Sequence, residues 1–589
     1  MAADDPPSDQ ADVTVVVTAE RTLQPVSESI ASATVITAKQ IRDQGAQSVA
    51  DVMKLAPGVA VTQNGQTGSL ANAHIRGTSS SQALVLIDGQ RLTSSAFGGA
   101  ADLSKIPVTN IARIEVIRGP ASSLYGSDAI GGVINIITKE TLGSKGEARL
   151  GFGSNARQTK YMMLGGGNES STWQLTSDFP AYSGARTNSD YTATDLSGKL
   201  SFMNVRGWDL SLRGNDYHDA LGLPGPTDFL TDDDHQWWDR HSFDLSAKRD
   251  VGGGQLEVSG YTSDQRLKEL NPAYFMDTLI TGKTATAEVV YRLARGNQDW
   301  VFGGEYRHEN YRDVENGSVQ ADKGISNQGW FVQNRIAMSK TTDALLGARL
   351  DDHSVAGSRL TPRLGVNHAI SEKTRLRLSY GQGFRSPSLV DLYYNNFGTL
   401  GNPDLRPERS QQYEIGVNTQ IGNDTLDIAL FTNSVIDQIT WRSAATESNP
   451  WAGTFENVSR ARQRGMELSW DHPLARGMHL VMFYTFIDAR NLMDGARLPG
   501  IPRDQLGATL TGKVKTWNLA LTGRANSDRR FGTSTAAGYM VFDLTFTQQT
   551  DKPLNPYIIV RNLTDAHYDE MVNYPAEGRS IEVGTRATW

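Results

Sequence analysis

The sequence predicts a transmembrane β-barrel of about 22 antiparallel strands, its lumen filled by an N-terminal α/β plug domain. Three observations carry this expectation. Beyond Lys139 the chain reads as repeated period-2 segments separated by polar turns. No run approaches the ~18 consecutive apolar residues that a membrane helix needs. Gly131–Ile137 is the nearest, and it is short and strand-like. The chain also alternates up to an aromatic last residue, Trp589, which suits closure of a barrel that can leave no free edge in lipid.

The bulk numbers agree. Of 589 residues 38% are hydrophobic and 21% charged, and mean hydropathy is -0.41. A barrel keeps half of each strand polar, so its average resembles that of a water-soluble chain. With 19 Tyr, 18 Phe, 11 Trp and 57 Gly, the composition suits aromatic girdles and tight turns. Net charge -8 and a pI near 5.8 give no reason to expect nucleic acid. The absence of cysteine suits passage through an oxidising compartment. Met1 is followed by polar residues rather than a signal peptide, and the expectation is a mature chain.

Residues 1–24 are expected to be a flexible lead containing Val13–Ala19, a β-branched segment that could pair with the edge of a partner sheet or begin the next domain. Residues 25–138 read as the plug. Helices are expected at Thr37–Gln40 and at Val49–Leu55, the latter stopped by Pro57-Gly58. Strands are expected at Ala83–Ile87, Ile111–Ile117 and Val133–Thr138. Residues 139–589 are the barrel. Trp208, Leu210 and Leu212 oppose Asp209, Ser211 and Arg213; Leu376, Leu378 and Tyr380 oppose Arg375, Arg377 and Ser379. A soluble sandwich also alternates, but this chain has too many such strands for one. A cylinder that wide would leak unless filled, and the N-terminal unit is of suitable size.

Motifs in both parts resemble those of TonB-dependent outer-membrane receptors. They are Leu55–Val59 (LAPGV), Ile75–Gly77 (IRG), Val85–Gly89 (VLIDG), Ile114–Pro120 (IEVIRGP) and Ser123–Ile137 in the plug. Phe384–Pro387 (FRSP) and Asn402–Glu408 (NPDLRPE) follow in the barrel. The resemblance implies an outer-membrane location. It also implies a TonB box at Asp12, Val13, Thr14, Val15, Val16, Val17, Thr18 and Ala19, read by TonB and its proton-driven inner-membrane motor. A plug–barrel charge cluster of Arg76 and Arg118 with Glu414 and Glu467 is implied as well, since buried charge needs partners.

The ligand should meet two upward plug loops. The candidate contacts are Gln63, Asn64, Gln66, Thr67, Ser69, Leu70 and Asn72 in the first, and Ser94, Ser95, Phe97 and Gly98 in the second. Neither loop holds Lys or Arg, whereas a ferric tris-catecholate would call for cations. Amides and hydroxyls suit a large ligand ringed by amides, and these loops look most like those of the vitamin B12 (cobalamin) receptor. A ferric siderophore or haem stands as the alternative. Haem iron wants an axial ligand; His74 is one candidate, though it can equally serve plug packing. No cofactor is required, but the cobalamin resemblance raises calcium in the outer loops at Asp190, Asp232, Asp234 and Asp244. His218, His235 and His241 near the same acids suggest a transition-metal site. A role as colicin or phage receptor, or as adhesin, is the reading from another class. No phosphate loop, HExxH, GxSxG or Cys nucleophile supports an enzyme.

Overall fold

The computed structural model describes residues 15–16, 19–22, 24–396, 398–443, 452–550 and 552–589. Its dominant element is a closed barrel of 22 antiparallel strands. The first, Lys145–Gly153, pairs with the last, Ser580–Thr588, with Glu147 opposite Thr588. Closure leaves no strand edge to satisfy in hydrocarbon.

Exposure along the strands is inverted relative to a water-soluble protein. In Thr342–His353, Arg349 and Asp351 are 0% exposed while Leu346 and Leu350 are 49% and 44% exposed. In Glu408–Ile421, Glu408, Ser410, Gln412 and Glu414 are buried, with Tyr413 and Ile415 outside. Polar side chains thus line a filled lumen and apolar ones face outward, as a lipid-embedded barrel requires. Among the described residues no helix is long and apolar enough to cross a membrane; the crossing is made by strands. One rim has tight connections, such as residues 206–207, 252–253 and 422–423. The other carries longer ones, such as 223–234, 386–407 and 562–579, and long loops mark the extracellular side.

The plug follows the expected order, with sharper limits. Ala38–Asp43 is a helix because Thr37 caps it, accepting from the Gln40 amide in a capping box. Val49–Met53 is the second helix, with four buried side chains. The central sheet runs Ser32–Thr37, Ile111–Arg118, Gly132–Thr138, Ala83–Ile87 and Gln90–Arg91. Its core gathers Val49, Val52 and Met53 over Ile114, Val116 and Ile134. The sequence did not reveal a hairpin, Val59–Gln63 with Ala71–Ile75, whose tip is the first upward loop. Residues 139–144 link the last plug strand to the barrel.

Candidate functional site

Arg76 occupies the left-handed backbone region, with φ 53°. This turn leaves the strand Ala71–Ile75 and aims the side chain at the barrel wall. The guanidinium is 1% exposed and fully engaged. Its Nε and Nη2 donate to Glu467 at 2.7 Å each, and Nη1 donates to Glu414 at 2.6 Å. The ring of Phe431 lies 4.3 Å below its carbon. Burial pulls the pKa of Arg76 down, but Glu467 and Glu414 hold it above the ordinary arginine value. Arg118 donates to Glu467 at 3.0 Å and to Thr34; there burial wins and its pKa falls. Gly58 admits this geometry. Its φ is +71°, and a Cβ would stand 2.2 Å from Glu467 Oε1.

The structure therefore brings Arg76, Arg118, Glu414 and Glu467 together and adds residues that sequence reasoning missed. Ser32 donates to Glu414 at 2.6 Å. Arg377 donates to Glu414 at 3.2 Å and to Asp427 at 2.7 and 2.9 Å. The signal was present, because Arg377 lies on the polar face of an alternating strand.

Of the expected TonB box, Asp12, Val13, Thr14, Val17 and Thr18 lie outside the described residues. Val15–Val16 pairs antiparallel with Gln24–Pro25. The chain just after it is anchored to the barrel near the short-turn rim. Arg363 donates to the Ala19 carbonyl at 3.0 Å, Gln333 to that of Glu20 at 3.1 Å, and Arg21 to Glu288 at 2.8 Å. Arg21 also stacks over Tyr125 and Phe331, at 4.6 and 4.9 Å. These anchors had no motif to betray them.

On the opposite side a cavity of about 570 Å³ opens above the first plug loop. Asn64, Gln66, Ser69 and Leu70 form its floor; Phe229, Asp234, Glu269, Tyr394, Trp441 and Tyr574 contribute to its walls. No Lys, Arg or His lines it among the described residues. Gln63 and Thr67 turn instead toward the seam between plug and wall, where Gln63 accepts from Lys54 at 2.8 Å and Thr67 from Arg157 at 3.3 Å. Asn72 is paired with Thr62 in the hairpin.

The second loop corrects the expectation of two loops around one ligand. Ser94, Ser95, Phe97 and Gly98 do not line the cavity. The Ser95 amide donates to Glu309 at 2.8 Å, its hydroxyl accepts from the Leu389 amide at 2.7 Å, and Phe97 packs on Trp238 at 4.6 Å. Ala96 is buried with Tyr311, Ile325 and Leu389. Wall residues and the short helix Leu389–Tyr393 cover this loop, which the sequence left looking free.

The four aspartates expected around calcium are not gathered either. Asp190 and Asp232 are exposed, Asp234 is buried, and Asp244 sits well down the strand His235–Val251, bound by Arg213 at 2.7 Å. At about 3.3 Å per residue, nine steps of strand put Asp244 roughly 30 Å from the loop.

His74 is structural. One ring nitrogen meets Thr62 Oγ1 at 3.1 Å and the other the Thr78 carbonyl at 3.0 Å, leaving neither for haem iron. Burial pushes its pKa down from 6.5 to about 4. Between those values the unfolded chain takes up a proton that the folded plug refuses. The stabilising contribution of neutral His74 is thus present above pH 6.5 and lost as pH falls toward 4. In chemical denaturation the gap between wild type and His74→Gln should narrow over that window; a pH-independent gap would contradict this assignment.

The family described as "TonB dependent receptor-like, beta-barrel" matches residues 138–563, and the "TonB-dependent Receptor Plug Domain" matches residues 25–133. The ferric enterobactin receptor PfeA of Pseudomonas aeruginosa superposes with a TM-score of 0.81 at 20% identity, over 98% of this chain and 100% of that one. The siderophore receptor PiuA of Acinetobacter baumannii gives 0.82 at 16% identity, over 96% and 98%. Pseudomonas aeruginosa FpvA, bound to a ferric pyoverdine, gives 0.82 at 16%, over 98% and 88%. At such identities the likeness is one of fold.

Proposed function

The chain belongs to the TonB-dependent receptor family, receptors of the bacterial outer membrane, and from that premise we propose that it imports cobalamin. The observation that carries the ligand is the cavity. Its lining includes Asn64, Gln66 and Ser69, aromatic faces and two carboxylates, Asp234 and Glu269, with no cation among the described lining residues. Cobalamin is ringed by amides whose N–H groups would donate to such acceptors. A ferric tris-catecholate would bring several negative charges against Asp234 and Glu269, with no cation among the described lining residues to neutralise them.

A ferric siderophore is the second reading. The solved structures named above are siderophore receptors, and none of them is a cobalamin receptor. Their likeness extends to the fold, and the cation-free lining among the described residues is what favours cobalamin over a siderophore. In either case ligand binding above the plug must change how the segment near Val15–Val16 is presented below. TonB would then capture that segment by strand addition and pull on a plug held by polar contacts that water can replace.

Calorimetry on the detergent-solubilised protein decides between them. Cyanocobalamin should bind with or without calcium, and Asn64→Leu should weaken it about tenfold, the worth of one or two lost hydrogen bonds. Binding of ferric enterobactin but not of cyanocobalamin would overturn the cobalamin reading and leave the family assignment intact.

A further inference from the structure

The outer wall of the barrel carries a cluster that neither ligand uptake nor coupling uses. In the strand Trp208–Gly222, Arg213 donates to the Ile87 carbonyl of the plug and Asp219 pairs with Lys105 of the plug at 2.5 Å. Odd-numbered residues there face the lumen, so Asp216 and His218 face outward. The neighbouring strand puts His241 directly opposite Asp216 and Asp239 directly opposite His218. Two adjacent cross-strand pairs thus set two imidazoles and two carboxylates in one patch.

The bonding inside the patch is specific. Asp216 turns one oxygen to His218 Nε2, at 3.0 Å, and the other to His241 Nδ1. His218 Nδ1 meets Asp239 Oδ1 at 2.7 Å. The two rings stand 5.2 Å apart at 66°. One donor atom from each of Asp216, His218 and His241 lies within 4.8 Å of the others, and this is the only such group of three among the described residues.

From this geometry we propose that Asp216, His218 and His241 form a binding site for a divalent transition metal of the zinc class, with Asp239 orienting His218. An imidazole between two carboxylates has a neutral form with only one N–H to give. A metal ion on Nε2 takes the place of the missing proton while Nδ1–H stays with Asp239. This carboxylate–histidine–metal relay fixes both tautomer and ring orientation. Two nitrogens and one oxygen at about 2.0–2.2 Å leave a fourth tetrahedral position open outward. On the next strand Arg266 stands opposite Asp239 and Asp264 opposite His241; Asp264 in turn engages Lys283 of the strand beyond at 3.1 Å. His235, at the loop end of the same strand, lies six positions away from His241 in sequence and is not in the group.

The test uses the full-length protein in detergent, stripped with chelator and titrated with Zn²⁺, with calorimetry and metal analysis as readouts. Wild type should hold about one Zn²⁺ per chain. The His218→Ala/His241→Ala double variant should lose it, and Asp239→Asn should weaken it 10–100-fold. Mg²⁺ and Ca²⁺ should not compete, since they prefer oxygen ligands. Zinc uptake that is equal in wild type and double variant would overturn the site. So would the absence of binding in wild type, which would make the patch a hydrogen-bonded clasp between strands. If the double variant does not fold, Asp239→Asn alone retains the discrimination.

Discussion

Replacing Arg76 by alanine should destabilise the plug by about 3–5 kcal/mol, the cost of leaving buried charges without their partner. Glu414 and Glu467 would then face Arg118 and Arg377 alone, and two bidentate-quality bonds to Glu467 would be gone. Alanine and arginine both carry a Cβ, so the left-handed backbone at residue 76 strains them alike and does not account for the loss. Arg76→Lys tests geometry against charge: it keeps the charge but cannot grip Glu467 with two parallel N–H groups, and it should fall between the two. Scanning calorimetry in detergent would follow the plug, and entry of large antibiotics into cells would report a loosened stopper. An Arg76→Ala plug that melts with wild type would show that the cluster does not hold plug to barrel.

The second large effect concerns coupling. Val16→Pro should reduce uptake to that of cells lacking the receptor while leaving calorimetric ligand affinity unchanged. Strand addition uses main-chain N–H and C=O groups, and proline removes a donor and fixes φ. Val15–Val16 already makes a two-residue antiparallel pair with Gln24–Pro25, so its backbone is of the kind a partner sheet can capture. Beyond it, Ala19, Glu20 and Arg21 are tied to Arg363, Gln333 and Glu288. A pull on Val15–Val16 would therefore reach these anchors before the plug core. Undiminished uptake in Val16→Pro would separate this segment from energy coupling.

How much of this was legible before the fold depended on the range of the interaction. The alternation that puts Leu210 and Leu212 outside and Arg213 inside follows from the pleat and needs no knowledge of neighbouring strands. The capped helix at Ala38–Asp43 follows from Thr37 and Gln40 three residues on. Arg76, Arg118, Glu414 and Glu467 were named from motifs, but their meeting joins residues up to 391 apart in sequence. The second plug loop misled because Ser94–Gly98 is composed like a free loop; what buries it is a wall more than a hundred residues away. The aspartates failed as a set because extended chain separates Asp244 from its apparent companions, a distance that sequence spacing conceals.

By itself, then, the sequence determined everything that local geometry transmits: strands with one oily and one polar face, a capped plug helix, turns at glycine and the family to which the motifs belong. Only the tertiary structure decided which polar groups are buried against which. Ion pairing, cavity lining and metal-competent clusters depend on closing the barrel around the plug, and closure brings together atoms whose separation along the chain carries no record of their separation in space.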